Sequence, residues 1–158
     1  MSAADAAAIK TITTNRRARH DFEILDRFEA GLVLEGSEVK SLRAGQAQLK
    51  DAYAAVRDGE VWLVGAYIAP YSFSPHGGHD PERTRKLLMS RREIDRLASR
   101  LAEQGLALVP LSMYFKAGRA KVELGLGRGR RTIDKRSALK EKEQKREMDR
   151  AARRRVKG

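Results

Sequence analysis

Phe115 is the last aromatic side chain in this sequence of 158 residues, and the segment beyond residue 126 cannot build a core of its own. Residues 127–158 hold 14 Lys or Arg against five Asp or Glu, a net charge of +9. Such a segment, poor in apolar side chains, cannot bury enough surface to offset the entropy of ordering it. The whole chain carries +12, so residues 1–126 carry only +3, and all nine aromatics lie among them. The sequence therefore divides into a nearly neutral body with one small core and a basic tail whose order depends on a polyanionic partner. Residues 1–14 are rich in Ala and Thr, with Asp5 where a signal peptide would be positive; they are expected to be a flexible lead-in to a cytoplasmic protein. The expected division is thus residues 1–14, a body over 15–126, and the tail over 127–158.

The absence of cysteine excludes a disulfide scaffold, a thiolate metal site and a cysteine nucleophile. No apolar run reaches the ~20 residues that span a bilayer.

The body reads as strands with one clear helix. Phe22, Ile24 and Asp26 alternate with Glu23 and Leu25, predicting a first strand that leads to Phe28. Gly31-Leu32-Val33-Leu34, bounded by Gly31 and Gly36, predicts a second. Ser37–Arg43, followed by Gly45, predicts a short helix. Residues 52–56 and 61–68 flank Asp58-Gly59, a dipeptide that supplies the positive φ angles of a tight hairpin. Residues 70–81, with Gly77-Gly78 and three prolines, predict a loop. Ser90-x-x-Glu93 is a capping box, and Ile94, Leu97, Ala98 and Leu101 follow helical spacing over residues 90–104. Residues 106–115 and 120–126 predict a last hairpin around Ala117-Gly118. The expectation is a mostly β protein, an OB-like antiparallel barrel with flanking helices, because closure hides sheet edges. Its tail is expected to be disordered or helical: residues 137–155 are good helix formers, but an apolar face of little more than Leu139 and Met148 leaves such a helix marginal in water. The same thin face argues against a membrane.

Nothing in the sequence assembles a catalytic site, a cofactor site or a metal site. His76-x-x-His79 lies in the Gly/Pro loop with only Asp80 nearby and is expected to be solvated; His20 sits in a surface charge cluster. No serine occupies a Gly-x-Ser-x-Gly elbow. Gly125-Leu126-Gly127-Arg128-Gly129 resembles part of a dinucleotide loop but lacks the helix and the acidic residue that should come after it. Glu29 and Asp26 near a strand end have surface solvation or an Arg partner as the plain alternative to a role.

Basic clusters are more informative. Arg16-Arg17-Ala18-Arg19-His20, Lys40-x-x-Arg43, Arg83-x-Arg85-Lys86, and Lys116 with Arg119 and Lys121 all fall at element ends, where a small barrel presents an RNA-binding face. Tyr71 or Phe73 could stack on a base or pack in the loop. From Gly125 to Arg131, glycines would let the backbone pass close to phosphates that the arginines neutralise. Three readings remain at this level. A specific RNA-delivery factor would keep its RNA preference at high salt. A general RNA chaperone would lose affinity steeply for every RNA. An esterase or nuclease would need the loop histidines.

One ordered set of strings goes further: Asn15-Arg16-Arg17-Ala18-Arg19-His20, Phe28-Glu29-Ala30-Gly31-Leu32, residues 36–45 as Gly-Ser-Glu-Val-Lys-Ser-Leu-Arg-Ala-Gly, His79-Asp80-Pro81 with Arg83-x-Arg85-Lys86-Leu87-Leu88, Val109-Pro110-Leu111 with Tyr114-Phe115, and Asp134-Lys135-Arg136. Together, over residues 12–140, they resemble the bacterial SsrA-binding protein (SmpB) family. The resemblance implies a non-enzymatic protein that binds transfer-messenger RNA at the elbow of its tRNA-like domain and delivers it to stalled ribosomes in trans-translation. It implies RNA-binding roles for Glu29, Leu88 and Lys121, and RNA contacts for Asn15, Arg16, Arg19, Lys40 and Arg43. It also implies that Gly129, Arg130, Arg131, Asp134, Lys135 and Arg136 reach the decoding centre of the small subunit, with the tail in the message channel. Elongation factor Tu is an indirect partner, and a monomer is expected. Two positions depart from the family pattern. Ile133 stands where an aromatic or His usually precedes the Asp-Lys-Arg triplet, so it can pack on a base but not stack as an aromatic. Where the tail often has a Trp, this chain reads Glu143-Gln144-Lys145, leaving docking there to rest more on charge.

Overall fold

The computed structural model describes residues 8–71, 78–103, 105–130, 146 and 148. Its elements run in the order β1 (Ile9–Thr14), α1 (Arg16–Asp21), β2 (Phe22–Leu32), α2 (Gly36–Arg43), β3 (Ala47–Gln48), β4 (Tyr53–Arg57), β5 (Glu60–Val64), β6 (Tyr67–Ile68), β7 (Arg85–Leu88), α3 (Arg91–Leu101), β8 (Leu106–Lys116) and β9 (Arg119–Gly129). The main sheet has the order β1-β8-β4-β5-β7-β2-β9, and β9 also pairs with β8. Six antiparallel strands therefore close into the expected OB-like barrel, and β1 adds to one edge of β8.

Period-2 alternation puts Val122, Leu124 and Leu126 of β9, Val61 and Leu63 of β5, Phe28 and Ala30 of β2, and Met113 of β8 into one core. The hairpin between β4 and β5 turns on Asp58 (φ 52°) and Gly59 (φ 73°). Positive φ at both central residues matches the right-handed twist of the strands, and Ala117-Gly118 joins β8 to β9 in the same way. Helix α3 starts where the capping box places it, with the Ser90 hydroxyl accepting from the Glu93 amide. It buries Ile94 and Leu97 against the barrel.

Several expectations are corrected. Ile9–Thr14 is not a frayed lead-in but strand β1, paired with β8 from Ile9 opposite Lys116 to Thr14 opposite Ser112. Residues 16–21, read in the sequence only as a basic cluster, form a short helix capped by Asn15. The two strands expected over residues 22–28 and 31–34 are one, β2, because Gly31 continues the ladder opposite both Leu88 and Lys121. The run over residues 61–68 breaks at Gly65 (φ 79°), after which β6 pairs with β3 in a separate two-stranded sheet. The glycines of residues 125–129 do not open the tail: β9 runs to Gly129. Gly127 has no room for a side chain, since a Cβ there would lie 3.0 Å from the Glu23 carbonyl oxygen. Its neighbour Gly125 makes space for Leu111 and Ile24, which pack with Ala18, Val109 and Phe22 into a small second core under α1.

Arg85 and His79 differ most from their sequence reading. Arg85 points inward from β7, is completely buried, and donates through Nε to the equally buried Glu38 carboxylate of α2. Its remaining donors reach the carbonyls of Ala66 (2.8 Å) and Pro81 (3.1 Å). Arg83 donates to the other Glu38 oxygen. Desolvation pushes the Glu38 carboxyl up, but the hydrogen bonds from Arg83, the Glu35 amide and Arg85 outweigh it and hold the group below its ordinary 4.5. His79 is buried rather than solvated, with Nδ1 against the Ser37 hydroxyl and Nε2 against the Ile68 carbonyl, both at 2.9 Å. Its partner in the sequence pair, His76, lies outside the described residues.

Glu38→Gln leaves a buried guanidinium without its counter-charge, and a urea titration at neutral pH is expected to show a loss of about 3–5 kcal/mol. A carboxyl whose folded pKa is depressed contributes stability above its unfolded pKa and loses it as pH falls through the folded one. The margin of the natural protein over Glu38→Gln should therefore shrink as the pH is lowered below about 4.5; a margin that stays constant down to strong acid contradicts the assignment.

Candidate nucleic-acid interface

β2 is the centre of the site because it pairs with β7 on one side and β9 on the other. Gly31 lies opposite Leu88 and opposite Lys121, so two residues far apart in sequence flank one glycine. A Cβ at Gly31 would meet Leu88 Cβ at 3.4 Å and Lys121 Nζ at 3.7 Å. With hydrogen there instead, the Leu88 side chain stands on the surface at 56% exposure beside a lysine. Leu88, Gly31, Val39 of α2, Phe115 and Lys121 line a groove of about 320 Å³.

Glu29 lies two residues along the same strand. The Tyr114 hydroxyl donates to its carboxylate, and Lys116 Nζ reaches both carboxylate oxygens at 3.4 Å. The Tyr114 hydrogen bond, supported by Lys116 and Lys121 against a modest desolvation cost, holds the Glu29 carboxyl below its ordinary range. The Tyr114 phenol is pushed up in turn, first by burial and then by the carboxylate it serves. The site thus holds a fixed anion among cations. That anion repels phosphate, so its use on a polyanion is as an acceptor for a base amino group or a ribose 2′-hydroxyl. Leu88 offers an apolar platform to an unstacked base, and Lys121 a phosphate contact.

A second groove of about 510 Å³ shares Phe115 and Gly118 with the first and is lined by Lys10, Ile9 and Arg43. Arg43 therefore joins the Glu29 end of the barrel. Lys40, one turn earlier on α2, places its ammonium 5.4 Å from the centre of the Tyr71 ring. Lys10 belongs to none of the basic clusters legible in the sequence; the β-branched Ile and Thr of residues 9–14 are the signal for the strand that carries it, and the structure pairs it with Phe115.

The other sequence candidates lie elsewhere. Arg16 and Arg19 are exposed on α1, at the end of β2 where Phe22 pairs with Gly129. Seven residues separate Phe22 from Glu29, roughly 20 Å of strand. Asn15 is buried: its side chain caps α1 through Ala18 N and donates to the carbonyls of Leu49 (3.2 Å) and Pro110 (3.0 Å). With its amide and carbonyl engaged, it orients the α1 arginines instead of offering an RNA contact. Gly129 ends β9 and Arg130 is exposed beyond it. Arg131, Ile133, Asp134, Lys135, Arg136 and residues 143–145 lie outside the described residues. Among the described residues no group of three His, Asp or Glu could hold a metal, and no helix is long and apolar enough to cross a membrane.

Tyr114→Phe removes the strongest influence on Glu29. Its carboxyl should then titrate at higher pH, closer to its ordinary value, in an NMR titration of the side-chain carbonyl. An unmoved titration would show that Tyr114 does not hold it.

The family model described as SmpB protein matches residues 12–154. A protein of Anaeromyxobacter dehalogenans named SsrA-binding protein is 58% identical over 149 residues, 94% of this chain and 91% of that protein. One of the same name from Syntrophobacter fumaroxidans is 52% identical over 150 residues, 95% of this chain and 93% of its own length. Among solved structures, a chain described as "tmRNA-SmpB: a journey to the center of the bacterial ribosome" superposes with a TM-score of 0.63 at 51% identity, covering 74% of this chain and 82% of that one. A family match across nearly the whole sequence and identities above half over almost full length leave one assignment: this chain belongs to the SmpB protein family.

Proposed function

We propose that this chain binds transfer-messenger RNA and acts with it on the ribosome in trans-translation, as a binding factor without catalysis. The observation that carries the reading is the convergence of Glu29, Leu88 and Lys121 around Gly31. Three strands bring an exposed aliphatic side chain and a lysine to one groove, with a fixed carboxylate beside that lysine, a set suited to a particular RNA feature rather than to bulk phosphate. Arg43 and Lys10 extend the same face as phosphate contacts. The elbow of the tRNA-like domain is the RNA element assigned to this groove.

The tail is assigned to the ribosome. It leaves β9 at Gly129 beside α1, at the end of the barrel away from the groove. Arg16, Arg19, Arg128 and Arg130 are exposed at that end. One RNA can occupy the groove while the tail, with Arg131 and Asp134-Lys135-Arg136, enters the decoding centre and message channel. The chain then acts as a cytoplasmic monomer that delivers the RNA, with elongation factor Tu reached only through the aminoacylated RNA.

Lys121→Ala should weaken transfer-messenger RNA binding and lower the slope of log affinity against log salt by about one. Leu88→Asp should weaken it without lowering that slope in the same way. Equal loss for an unrelated structured RNA would instead favour a general chaperone. A chain ending at Arg130 keeps all of β9 and should retain RNA affinity to within a few-fold, while rescue of stalled ribosomes in a reconstituted translation system is lost. If this truncation removes RNA binding, the groove is not the RNA site.

A further inference from the structure

Strand β1 ends the sheet order: among the described residues it pairs with β8 along one edge and with no strand along the other. The segment from Arg43, at the end of α2, to Lys50 packs beside that free edge through β3. Among the described residues no backbone hydrogen bond joins the two, so an open strip runs between them. At its near end lies the groove of about 510 Å³ that holds Lys10 and Arg43. At its far end a cleft of about 410 Å³ is lined by Thr13, Thr14, Arg16, Gln48 and Lys50. Midway, Gly45 has no atom within 4 Å of the place a Cβ would take. Lys10 and Thr13, three positions apart, would face opposite ways in a regular strand. Ile12 is an extra residue between the pairs Thr11–Tyr114 and Thr13–Met113, and such a bulge re-aims the side chains that come after it.

We propose that this strip is a backbone track for the RNA held at Leu88 and Lys121. The RNA strand leaves the groove past Phe115, and its phosphates lie along β1 from Lys10 and Arg43 to Lys50 and Arg16. The inference rests on the RNA-binding function proposed above and lengthens its surface by about 13 Å, the span of β1 from Lys10 to Thr14. Continuity is the first reason. The groove beside Gly31 and the near end of the strip share Phe115 and Gly118, so one surface leads into the other. The far side of the strip is also fixed in place. The Gln46 carbonyl accepts from the Ala69 amide at 3.0 Å, and the Leu49 carbonyl accepts from the Asn15 side chain at 3.2 Å.

Charge is the second reason. Lys10, Arg16, Arg43 and Lys50 are all exposed, and among the described residues none of them forms an ion pair. Elsewhere on the barrel many cations are answered: Arg27 by Glu123, Lys86 and Arg91 by Glu60, and Arg96 by Asp26. No Asp or Glu lines either end of the strip. Asp51, next to Lys50 in sequence, lies 3.8 Å from Arg17. Four uncompensated cations exceed the whole net charge of +3 on residues 1–126, so a weakly charged body still presents a strong local site for phosphates. Thr13, Thr14 and Gln48 add neutral donors that suit phosphate oxygens and ribose hydroxyls. An acidic polypeptide would meet the same cations, but the Glu29 carboxylate near the other end of this surface repels it. To RNA the same carboxylate offers an acceptor.

Binding of transfer-messenger RNA to the full-length protein, without ribosomes and over a range of salt, tests the track. Lys10→Ala/Lys50→Ala should weaken binding about tenfold near physiological salt and lower the slope of log affinity against log salt by roughly 1.4–1.8. Lys10→Arg/Lys50→Arg should bind as the natural sequence does. Arg57→Ala/Arg92→Ala removes the same charge from β4 and α3 and should change the slope much less. An equal effect from that pair would show bulk attraction alone and overturn the proposal. The chain has no cysteine, so Gln48→Cys can carry a tethered iron–EDTA group at the far cleft. It should cut the RNA backbone in one discrete region, and no discrete cut would overturn the track. Lys121→Ala separates the two readings. If it leaves affinity unchanged while Lys10→Ala/Lys50→Ala lowers it, the groove reading fails and the strip stands as the RNA contact. If the Lys10/Lys50 pair changes neither affinity nor slope while Lys121→Ala weakens binding, the strip is overturned and the groove stands.

Discussion

The ion pair between Glu38 and Arg85 fixes the end of the barrel on which the groove beside Gly31 is built. Two opposite charges taken completely out of water hold only if every donor and acceptor is engaged. Here Arg85 reaches Glu38, Ala66 and Pro81, and Glu38 also receives Arg83 and the Glu35 amide. One guanidinium thereby ties α2, the connection after β5 and the chain entering β7 to each other. His79 repeats the arrangement with neutral groups, joining Ser37 of α2 to the carbonyl of Ile68. Ser41 adds a bond to the Ala69 carbonyl at 2.6 Å. Helix α2 has only eight residues and would not persist alone. It is held in place by these buried polar contacts, and in consequence Val39 faces Leu88 across one groove and Arg43 reaches the next.

The charge pattern separates two tasks. A body of net +3 cannot rely on long-range attraction, and the strand that borders the groove accordingly carries an ionised Glu29 whose position is set by Tyr114 and Lys116. An acidic group in a phosphate-binding surface weakens indiscriminate binding. It gives something back only where a donor on the RNA meets it. The tail works in the opposite way, with +9 over 32 residues and little apolar surface. Its binding to a polyanion should depend on counterion release more than on shape.

Much of this is legible in the sequence where a local rule suffices. Asp58-Gly59, the Ser90–Glu93 box and the alternation of Val122, Leu124 and Leu126 each encode their own geometry within a few residues. The features that escape a sequence reading depend on partners distant along the chain. Arg85 looks like part of a basic loop until Glu38, 47 positions away, neutralises it. β7 stays hidden for the same reason, since an inward-pointing arginine masks the strand period. Asn15 looks like an RNA contact beside three arginines, although an Asn before a helical run is also a cap. Lys121 stands out in the sequence only as one of several basic residues and Glu29 as an acid near a strand end; Leu88 is singled out only by the family resemblance. Their meeting around Gly31 becomes visible with the register of β2 against β7 and β9.

That register also fixes how the two ends of the barrel stand relative to each other. β9 carries Lys121 near one end and Gly129 at the other, and it is paired on both sides over nearly its whole length, with β2 and with β8. A doubly paired strand of 11 residues is a stiff strut of roughly 35 Å. Its inward leucines are packed in the core, and its outward Gly125 and Gly127 are pinned beneath Ile24, Leu111 and the β2 backbone. It has no hinge at which the groove could shift relative to the point where the tail begins. The spacing between Lys121 and Gly129 is therefore a fixed property of the fold.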